Sequence, residues 1–426
     1  MSERPPADPH RPASPADGAA DPDSWVEGLR DRLGANRTVL ALSLARLGDG
    51  VGNSLLLIAL PLYVAEVAAD STWSRSVLVG ILVSLFGLAN VAAQPVAATL
   101  VDRLGHRKRW IQAGLVVMGV GTAAFLFARS YPALLGIRAF QAVGFALTLP
   151  ASMALITATT ERRNRGGAMG VFATFRMLGF AVGPLLGGWL HVAHGFDAVF
   201  LVGAATILSA TFFVEAWVEE PGREAEVSGE ETSRRYRFFD PELMTGDIVS
   251  LGVATLVMAA AISMMTTLEN EFNARLDQTA LAFGVAFSAL TVTRLVFQVP
   301  LGSLSDRIGR KPLVIAGLVL LAPATAWLGV VETTLELTGA RLVQGLATAA
   351  IASPAFALAG DLSSEHGVGR QLSVLTMGFA LGLAVGPLLA GLLAVVDFRL
   401  PFLVGGATTL AAAVLVGARV EDTVAA

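Results

Sequence analysis

Two ionisable residues interrupt the first long apolar stretch of the chain, residues 38–62. Arg46 and Asp49 are three residues apart, so on a helix they share one face. At 1.5 Å per residue Asp49 would lie about 16 Å deep in a membrane. A charge there costs about 2.5–3.5 kcal/mol on insertion scales, so its presence needs a reason. We expect Asp49 to bind a proton, because burial disfavours the carboxylate and a nearby arginine opposes that effect.

A second arginine approaches the same depth from the other side of the membrane. Arg138 lies in the fourth apolar stretch, roughly 10 Å below the far surface. The sequence therefore predicts a proton-coupling group of Asp49, Arg46 and Arg138, at which a proton and a cationic substrate compete for one negative charge. A permanent ion pair of Asp49 with either arginine, which only holds helices together, is the other interpretation.

Further arginines lie in the apolar stretches with few acids to balance them. Arg176 is the deepest of these, and Asn90 and Phe172 complete the predicted substrate-binding set. The excess of arginine keeps an organic anion open as the substrate. Arg294 and Arg341 are the other arginines of this kind in the apolar stretches. Arg294 is equally well placed to contact lipid headgroups.

Two glutamates occupy matching places in the two halves of the sequence. Glu66 and Glu269 fall at the outer ends of the first and seventh apolar stretches. We expect both of them to be interfacial.

Membrane helices must position these residues. Of the 426 residues, 54% are hydrophobic and 15% are charged, whereas a soluble domain has about 25% charged residues. Crossing the hydrocarbon takes about 20 mostly apolar residues. Twelve stretches qualify: 38–62, 76–100, 110–128, 132–158, 167–190, 198–217, 247–268, 279–301, 313–331, 337–360, 371–396 and 400–418.

The same composition excludes several classes of protein. A net charge of -4 indicates no nucleic-acid partner, and the absence of cysteine excludes disulfides and thiolate metal sites. No metal-ligand spacing, phosphate-binding loop or nucleophile–base set occurs in the sequence. We therefore expect no metal, no cofactor and no enzymatic activity. The expected partners are a small-molecule substrate, protons and the lipid bilayer, and the expected state is a monomer.

The distribution of basic residues predicts the orientation in the cell membrane. One set of loops carries nearly all of them, and the other set has only Arg75, Arg129, Arg275 and Arg399. The excess of positive charge marks the cytoplasmic side, so both termini are expected to be cytoplasmic.

The chain also repeats itself. Gly80, Gln94 and Asp102 recur 204 residues later, while Arg138 and Gln141 recur 203 residues later. With six stretches in each half, the repeats are parallel, related by an axis along the membrane normal. The predicted parts are a disordered cytosolic tail (1–36), an N-terminal six-helix bundle (37–217), a cytosolic linker (218–246), a C-terminal six-helix bundle (247–418) and a C-terminal tail (419–426).

A charged turn motif occurs twice in the sequence, as ATLVDRLGHRK (98–108) and GSLSDRIGRKP (302–312). Both resemble the loop signature G-x-L-x-D-[RK]-x-G-[RK]-[RK] of the major facilitator superfamily, the first with departures at Ala98 and His106. The glycine of each turn permits a positive φ in a tight reversal. The resemblance implies a conformational latch between the halves at Asp102, Arg103, Gly105, Arg107, Gly302, Asp306, Arg307, Gly309 and Arg310; loops that only anchor the topology are the other interpretation.

A second motif resembles one subfamily of this superfamily. GFAVGPLLGG (179–188) looks like the fifth-helix pattern of twelve-helix drug:proton antiporters, and RAFQAVG (138–144) is a weaker match to their fourth-helix pattern. The pattern residues are Gly179, Gly183, Pro184, Gly187 and Gly188.

The resemblance implies a specific fold and function. The fold would be an all-α membrane protein with twelve transmembrane helices in two pseudo-symmetric six-helix bundles. The function would be secondary active transport: proton-coupled export of small amphipathic compounds or drugs by alternating access. An importer or exchanger of an organic anion or other nutrient is the alternative on the same fold, and a membrane enzyme, a receptor or a non-transporting sensor is a more distant one.

Overall fold

The computed structural model describes residues 36–220, 245–362 and 368–422, and the regular structure in these ranges is helical. The predicted tail up to residue 35, most of the predicted linker (221–244) and the last four residues lie outside them. The helices are α1 (Arg37–Val67), α2 (Arg75–Leu104), α3 (Arg107–Ala124), α4 (Tyr131–Thr159), α5 and α6 (together Arg165–Trp217), α7 (Gly246–Leu276), α8 (Ala280–Ile308), α9 (Arg310–Trp327), α10 (Thr334–Asp361), α11 (Val368–Ala394) and α12 (Leu400–Arg419).

The longest helical segment contains two membrane spans. Its 53 residues would extend about 80 Å as one straight helix, far beyond the roughly 30 Å of hydrocarbon. Gly195 breaks it, with φ +78° and ψ −171°, a conformation that glycine adopts readily. The break separates α5 (residues 165–194) from α6 (residues 196–217). Eleven helices in the described ranges are long and apolar enough to span, and this one supplies two spans, so the prediction of twelve is confirmed.

Local sequence signals set several of the helix ends. The side chain of Asn36 caps α1 by accepting a hydrogen bond from the backbone NH of Val39 at 2.8 Å. The α2–α3 and α8–α9 reversals place Gly105 at φ +61° and Gly309 at φ +100°, as the paired turns predicted. His106 follows with φ +53°, an uncommon value for a residue with a side chain.

The twelve helices form two bundles of the same design. In the first, α1 packs against α5 and α6, while α3 packs against α4 and α6. In the second, α7 packs against α11 and α12, while α9 packs against α10 and α12. Buried apolar clusters fill both bundles, among them one with Leu115 and Ile207 in the first and one with Leu318 and Ile351 in the second.

The bundles meet through α2 against α11 and α5 against α8. A Cβ on Gly80 of α2 would lie 2.7 Å from the carbonyl oxygen of Pro387 on α11, and Gly284 of α8 has the equivalent relation to Pro184 on α5. Ser76 at the start of α2 donates a hydrogen bond to the carbonyl of Gly391 at 3.3 Å. These contacts cluster where α2 and α8 begin, which we call the closed end.

We call the other end, which carries the α2–α3 and α8–α9 loops, the basic end. In the described residues each of these loops is bound to its own bundle. Lys108 pairs with Glu215 of α6 at 3.2 Å, and Arg310 pairs with Asp306 at 3.3 Å and with Asp361 of α10. Burial along α2 and α8 falls towards the basic end: residues 76–80 and most of 283–290 are buried, whereas none of residues 85–96 and 291–304 is. The cleft between the bundles therefore opens at the basic end, and the ion pairs given for its loops stay within one bundle.

Candidate functional site

The buried ion pair on α1 is the centre of the site. Arg46 Nη1 lies 2.6 Å from Asp49 Oδ2, with the two side chains only 4% and 2% exposed. Asn53, one turn further on, places its Nδ2 3.4 Å from Asp49 Oδ1. The spacings of three and four residues put all three groups on one face of α1. Asp49 thus has one cationic and one neutral partner.

Aromatic rings surround the guanidinium of Arg46. Its central carbon lies 4.9 Å from the ring centroid of Phe145 on α4 and 5.5 Å from that of Phe172 on α5. Its Nε and Nη2 have no hydrogen-bond partner among the described residues. Cation–π contacts therefore replace hydrogen bonds on that side of the group. Phe172, predicted to bind substrate, here serves as one of these rings.

Arg138 does not contact Asp49. Its guanidinium lies 4.4 Å from the ring centroid of Phe86, and its Nη1 donates to Gln141 Oε1 at 3.2 Å. Gln141 in turn donates to Thr122 Oγ1 on α3 at 2.9 Å. Of the two arginines that the sequence placed near Asp49, the structure pairs only Arg46 with it. Arg138 instead belongs to a chain of polar groups that joins α4 to α3.

The second bundle repeats this chain. Arg341 on α10 donates to Gln344 at 2.8 Å and to the carbonyl of Ile262 at 3.1 Å, and Gln344 donates to Thr325 on α9 at 3.0 Å. The guanidinium of Arg341 lies over the ring of Phe287 at 5.2 Å. The sequence analysis did not identify the threonine that ends each row of polar groups, although Thr122 and Thr325 show the same 203-residue offset as the arginines.

Arg176 lies on α5 between aromatic rings of the first bundle. Its guanidinium carbon lies 5.4 Å from Phe145 and 5.2 Å from Phe180, and Arg46, Asp49 and Arg294 are within electrostatic range. Arg294, on α8, lies over the ring of Phe379 on α11 at 5.8 Å. Helices α5 and α8 thus bring two arginines near each other across the cleft.

The site is short of negative charge. Asp49 pairs with Arg46, and none of Arg138, Arg176, Arg294 and Arg341 forms an ion pair in the described parts of the chain. Asn90, the third predicted substrate-binding residue, is half-buried on α2, and its Oδ1 has no partner there. No group of His, Cys, Asp and Glu suited to a metal occurs among the described residues. The arrangement thus places one carboxylate, that of Asp49, among five arginines.

The expectation that Glu269 is interfacial is wrong. Its side chain has no exposed surface, whereas Glu66 is exposed at the end of α1. The reason is a difference in register between α1 and α7. Ser54 of α1 and Ser263 of α7 donate to equivalent glycine carbonyls, Gly179 and Gly382, so structurally matched residues of these helices differ by 209, not 203. Glu269 therefore lies six residues, about 9 Å, deeper than the sequence repeat suggested.

The glycine face of α5 holds α1. A Cβ on Gly179 would lie 2.8 Å from the Leu47 carbonyl oxygen, and a Cβ on Gly187 would lie 3.0 Å from the Leu55 carbonyl oxygen. Such close approach positions the Arg46–Asp49 segment directly against α5. Gly188 instead faces the other bundle, where its Cβ would meet the backbone of Ala280 on α8.

Replacing Gly179 with alanine is expected to destabilise the protein, because the new Cβ would lie 2.8 Å from the Leu47 oxygen and the Val51 nitrogen. Overpacking of this kind costs about 1–3 kcal/mol. Gly170→Ala is the matched control on α5, since nothing lies within 4 Å of its added Cβ. Thermal unfolding in detergent should show a lower midpoint for Gly179→Ala alone. Equal midpoints would contradict the close approach of α1 and α5.

The comparisons with known proteins agree with this architecture. The family model of the Major Facilitator Superfamily matches residues 42–268 and 248–425. The chain is 26% identical over 349 residues to a "Multi-drug resistance efflux pump PmrA homolog" of Lactococcus lactis, covering 81% of this chain and 85% of that protein. It is 28% identical over 380 residues to "Multidrug resistance protein MdtG" of Escherichia coli O9:H4, covering 85% and 89% respectively.

Solved transporter structures share the fold at low sequence identity. The nucleoside transporter NupG superposes with a TM-score of 0.72 at 14% identity, covering 90% of this chain and all of that one. A bacterial homolog of the human lysosomal transporter Spinster, in an inward-facing and occupied conformation, gives 0.69 at 16% identity and covers 89% and 94%.

Twelve membrane helices in two repeated bundles around a polar cleft define a multi-pass membrane transporter. The chain belongs to the Major Facilitator Superfamily.

Proposed function

We propose that this protein exports small amphipathic compounds from the cell in exchange for protons, by alternating access. The observation that carries the proposal is the buried Arg46–Asp49 pair beside a cleft that opens at one end. The efflux names of its relatives support the direction of transport. Residues 37–217 and 247–418 would be the two moving halves, joined by the linker 218–246 in a monomer.

The basic end would face the cytoplasm, with both termini there, because its loops carry the arginine excess. The structure then corresponds to the state that accepts substrate from the cytoplasm. In the opposite state the latch loops would close the basic end. An impermeant thiol reagent on intact cells tests the orientation: a cysteine at exposed Ser71 should react, and one at exposed Arg163 should not.

The exchange follows from the charge of Asp49. With Asp49 ionised, the cleft holds one carboxylate that attracts a cationic amphipathic substrate. Protonation removes that charge and weakens the 2.6 Å contact to Arg46, so substrate and proton exclude one another. Each half-cycle would then carry one or the other, and the proton gradient would drive export.

Everted membrane vesicles test this proposal directly. With an acidic interior, they should accumulate a fluorescent amphipathic cation, and nigericin, which removes the pH gradient, should abolish the accumulation. A gradient of about one pH unit supports about tenfold accumulation at one proton per substrate. Accumulation that is unchanged by nigericin would reject proton coupling.

A second candidate function rests on the four arginines without a carboxylate partner. Unpaired buried cations are costly, and an anionic ligand would balance them. For an anion the sign of coupling reverses: protonation of Asp49 frees Arg46, so proton and anion bind together. Such a protein would be a symporter that imports an organic anion. The sign of the pH effect on binding therefore separates the two candidates.

A further inference from the structure

Glu269 is a buried acid outside the site described above. Its side chain has no exposed surface, and neither carboxylate oxygen has a hydrogen-bond partner in the described part of the chain. Asn273, one turn further along α7, is the polar side chain on the same face. Ionising a carboxyl group that is buried away from water and has no cationic partner costs several kcal/mol. Burial therefore favours the neutral, protonated form of this group in this state.

The surroundings of Glu269 form the closed end. Just before it, α7 tightens into a 3₁₀ turn over Met264–Leu268. Just after it, Asn270 Nδ2 donates to the carbonyl of Pro61 on α1 at 2.8 Å, a hydrogen bond between the two bundles. Ile58 of α1 belongs to the same apolar cluster as Leu268 and Phe272. Separating α1 from α7 at this end would therefore open the apolar enclosure of Glu269 to water.

Nearby charged groups do not neutralise this acid. The segment packs against α1, α2, α8 and α11, and its apolar cluster also includes Leu337 of α10 and Phe402 of α12. Among the described residues no ion pair includes Glu269. Arg275 on the same helix lies over the ring of Phe398 at 4.3 Å instead. The other charged groups at this end of those elements are Glu66 and Asp70 at the end of α1, Arg75 on α2, Glu271 on α7, Asp277 before α8, Glu332 and Glu336 at the start of α10, Asp397 after α11 and Arg399 before α12.

We propose that Glu269 is a second proton-binding site, which holds its proton while the closed end is shut and ionises when that end opens. The proton comes from, and returns to, the aqueous phase at that end. Because the shut state binds one more proton than the open state, acid stabilises the shut state. That stabilisation is lost as the pH rises, by roughly a factor of ten per pH unit over the range in which the open-state carboxyl is ionised. The inference is independent of the role proposed for Asp49.

Spin-label distances across the closed end test this inference. The chain has no cysteine, so cysteines introduced at exposed Ser71 and Glu332 would be the only labelling sites, one in each bundle. In lipid nanodiscs between pH 5 and 9, the shut population of the otherwise unmodified protein should fall as the pH rises. Glu269→Gln, an isostere of the neutral acid, should stay shut throughout.

The controls separate this site from the one on α1. Glu66→Gln, at an exposed acid of the same end, should keep the pH response. In an Asp49→Asn background the proton site proposed on α1 is absent, so the pH response that remains there belongs to Glu269 and should be lost when Glu269→Gln is added. A pH response that survives in Glu269→Gln would overturn the proposal, and so would a protein without the substitution whose distances do not change with pH.

Discussion

Asp49→Asn is expected to abolish pH-driven accumulation of an amphipathic cation while the protein stays folded. The amide keeps the size of the side chain and its contact with Asn53, but it cannot take up and release a proton at physiological pH. A gradient of about one pH unit should then sustain no accumulation, instead of about tenfold. Flux into proteoliposomes with an imposed pH gradient measures the loss.

The matched control is Asp70→Asn, at an exposed acid in the α1–α2 loop, which should leave accumulation unchanged. Thermal unfolding of both variants checks that the fold is intact. If Asp49→Asn still accumulates the dye in response to the pH gradient, Asp49 is not the coupling acid, and the Arg46–Asp49 pair only holds helices together.

The sequence predicted the architecture well because helix length and helix reversals depend on residues that are close together in the chain. Apolar length predicts a span, and a glycine in a charged turn predicts a reversal, so the twelve helices and the positive φ of Gly105 and Gly309 follow from residues near one another in the chain. The Arg–Gln pairs on α4 and α10 were likewise visible as i, i+3 pairs at one offset.

The partners of the charged residues were less predictable, because they depend on register between helices. Depth along the membrane placed Arg138 level with Asp49, but depth carries no information about the direction of a side chain around its helix. Arg138 points to Phe86 and Gln141 instead. The same limit applies to Glu269, because the six-residue shift of α7 relative to α1 is seen only in which residues of these helices meet the equivalent glycines Gly179 and Gly382.

The two candidate functions share one fold, but they make different use of the charged residues in the site. One acid among five arginines gives a site whose net charge is positive when Asp49 is ionised and more positive when it is protonated. An exporter of cations must then rely on the local field of Asp49 and on the rings of Phe145 and Phe86, which attract cations. An importer of anions would use the arginines directly.

Arg176→Gln should therefore change the affinity for cationic and anionic probes in opposite directions. Removing one positive charge about 7 Å from a bound ionic group changes its binding energy by about 2 kcal/mol at an effective dielectric constant of about 20. A cationic amphipathic dye should bind about 30-fold more tightly, and an aromatic carboxylate should bind about 30-fold more weakly. Fluorescence titration of the purified protein with each probe at one pH gives both numbers.

Arg129→Gln is the control, because that arginine lies in the loop between α3 and α4 at the closed end, away from the cleft. It should change neither affinity by more than about twofold. If only the anionic probe binds the unmodified protein and Arg176→Gln abolishes that binding, the site is built for anions, and coupled import replaces export as the function. If both affinities are unaffected by Arg176→Gln, the substrate group does not lie beside α5, and its position must be sought near Arg138 or Arg341 instead.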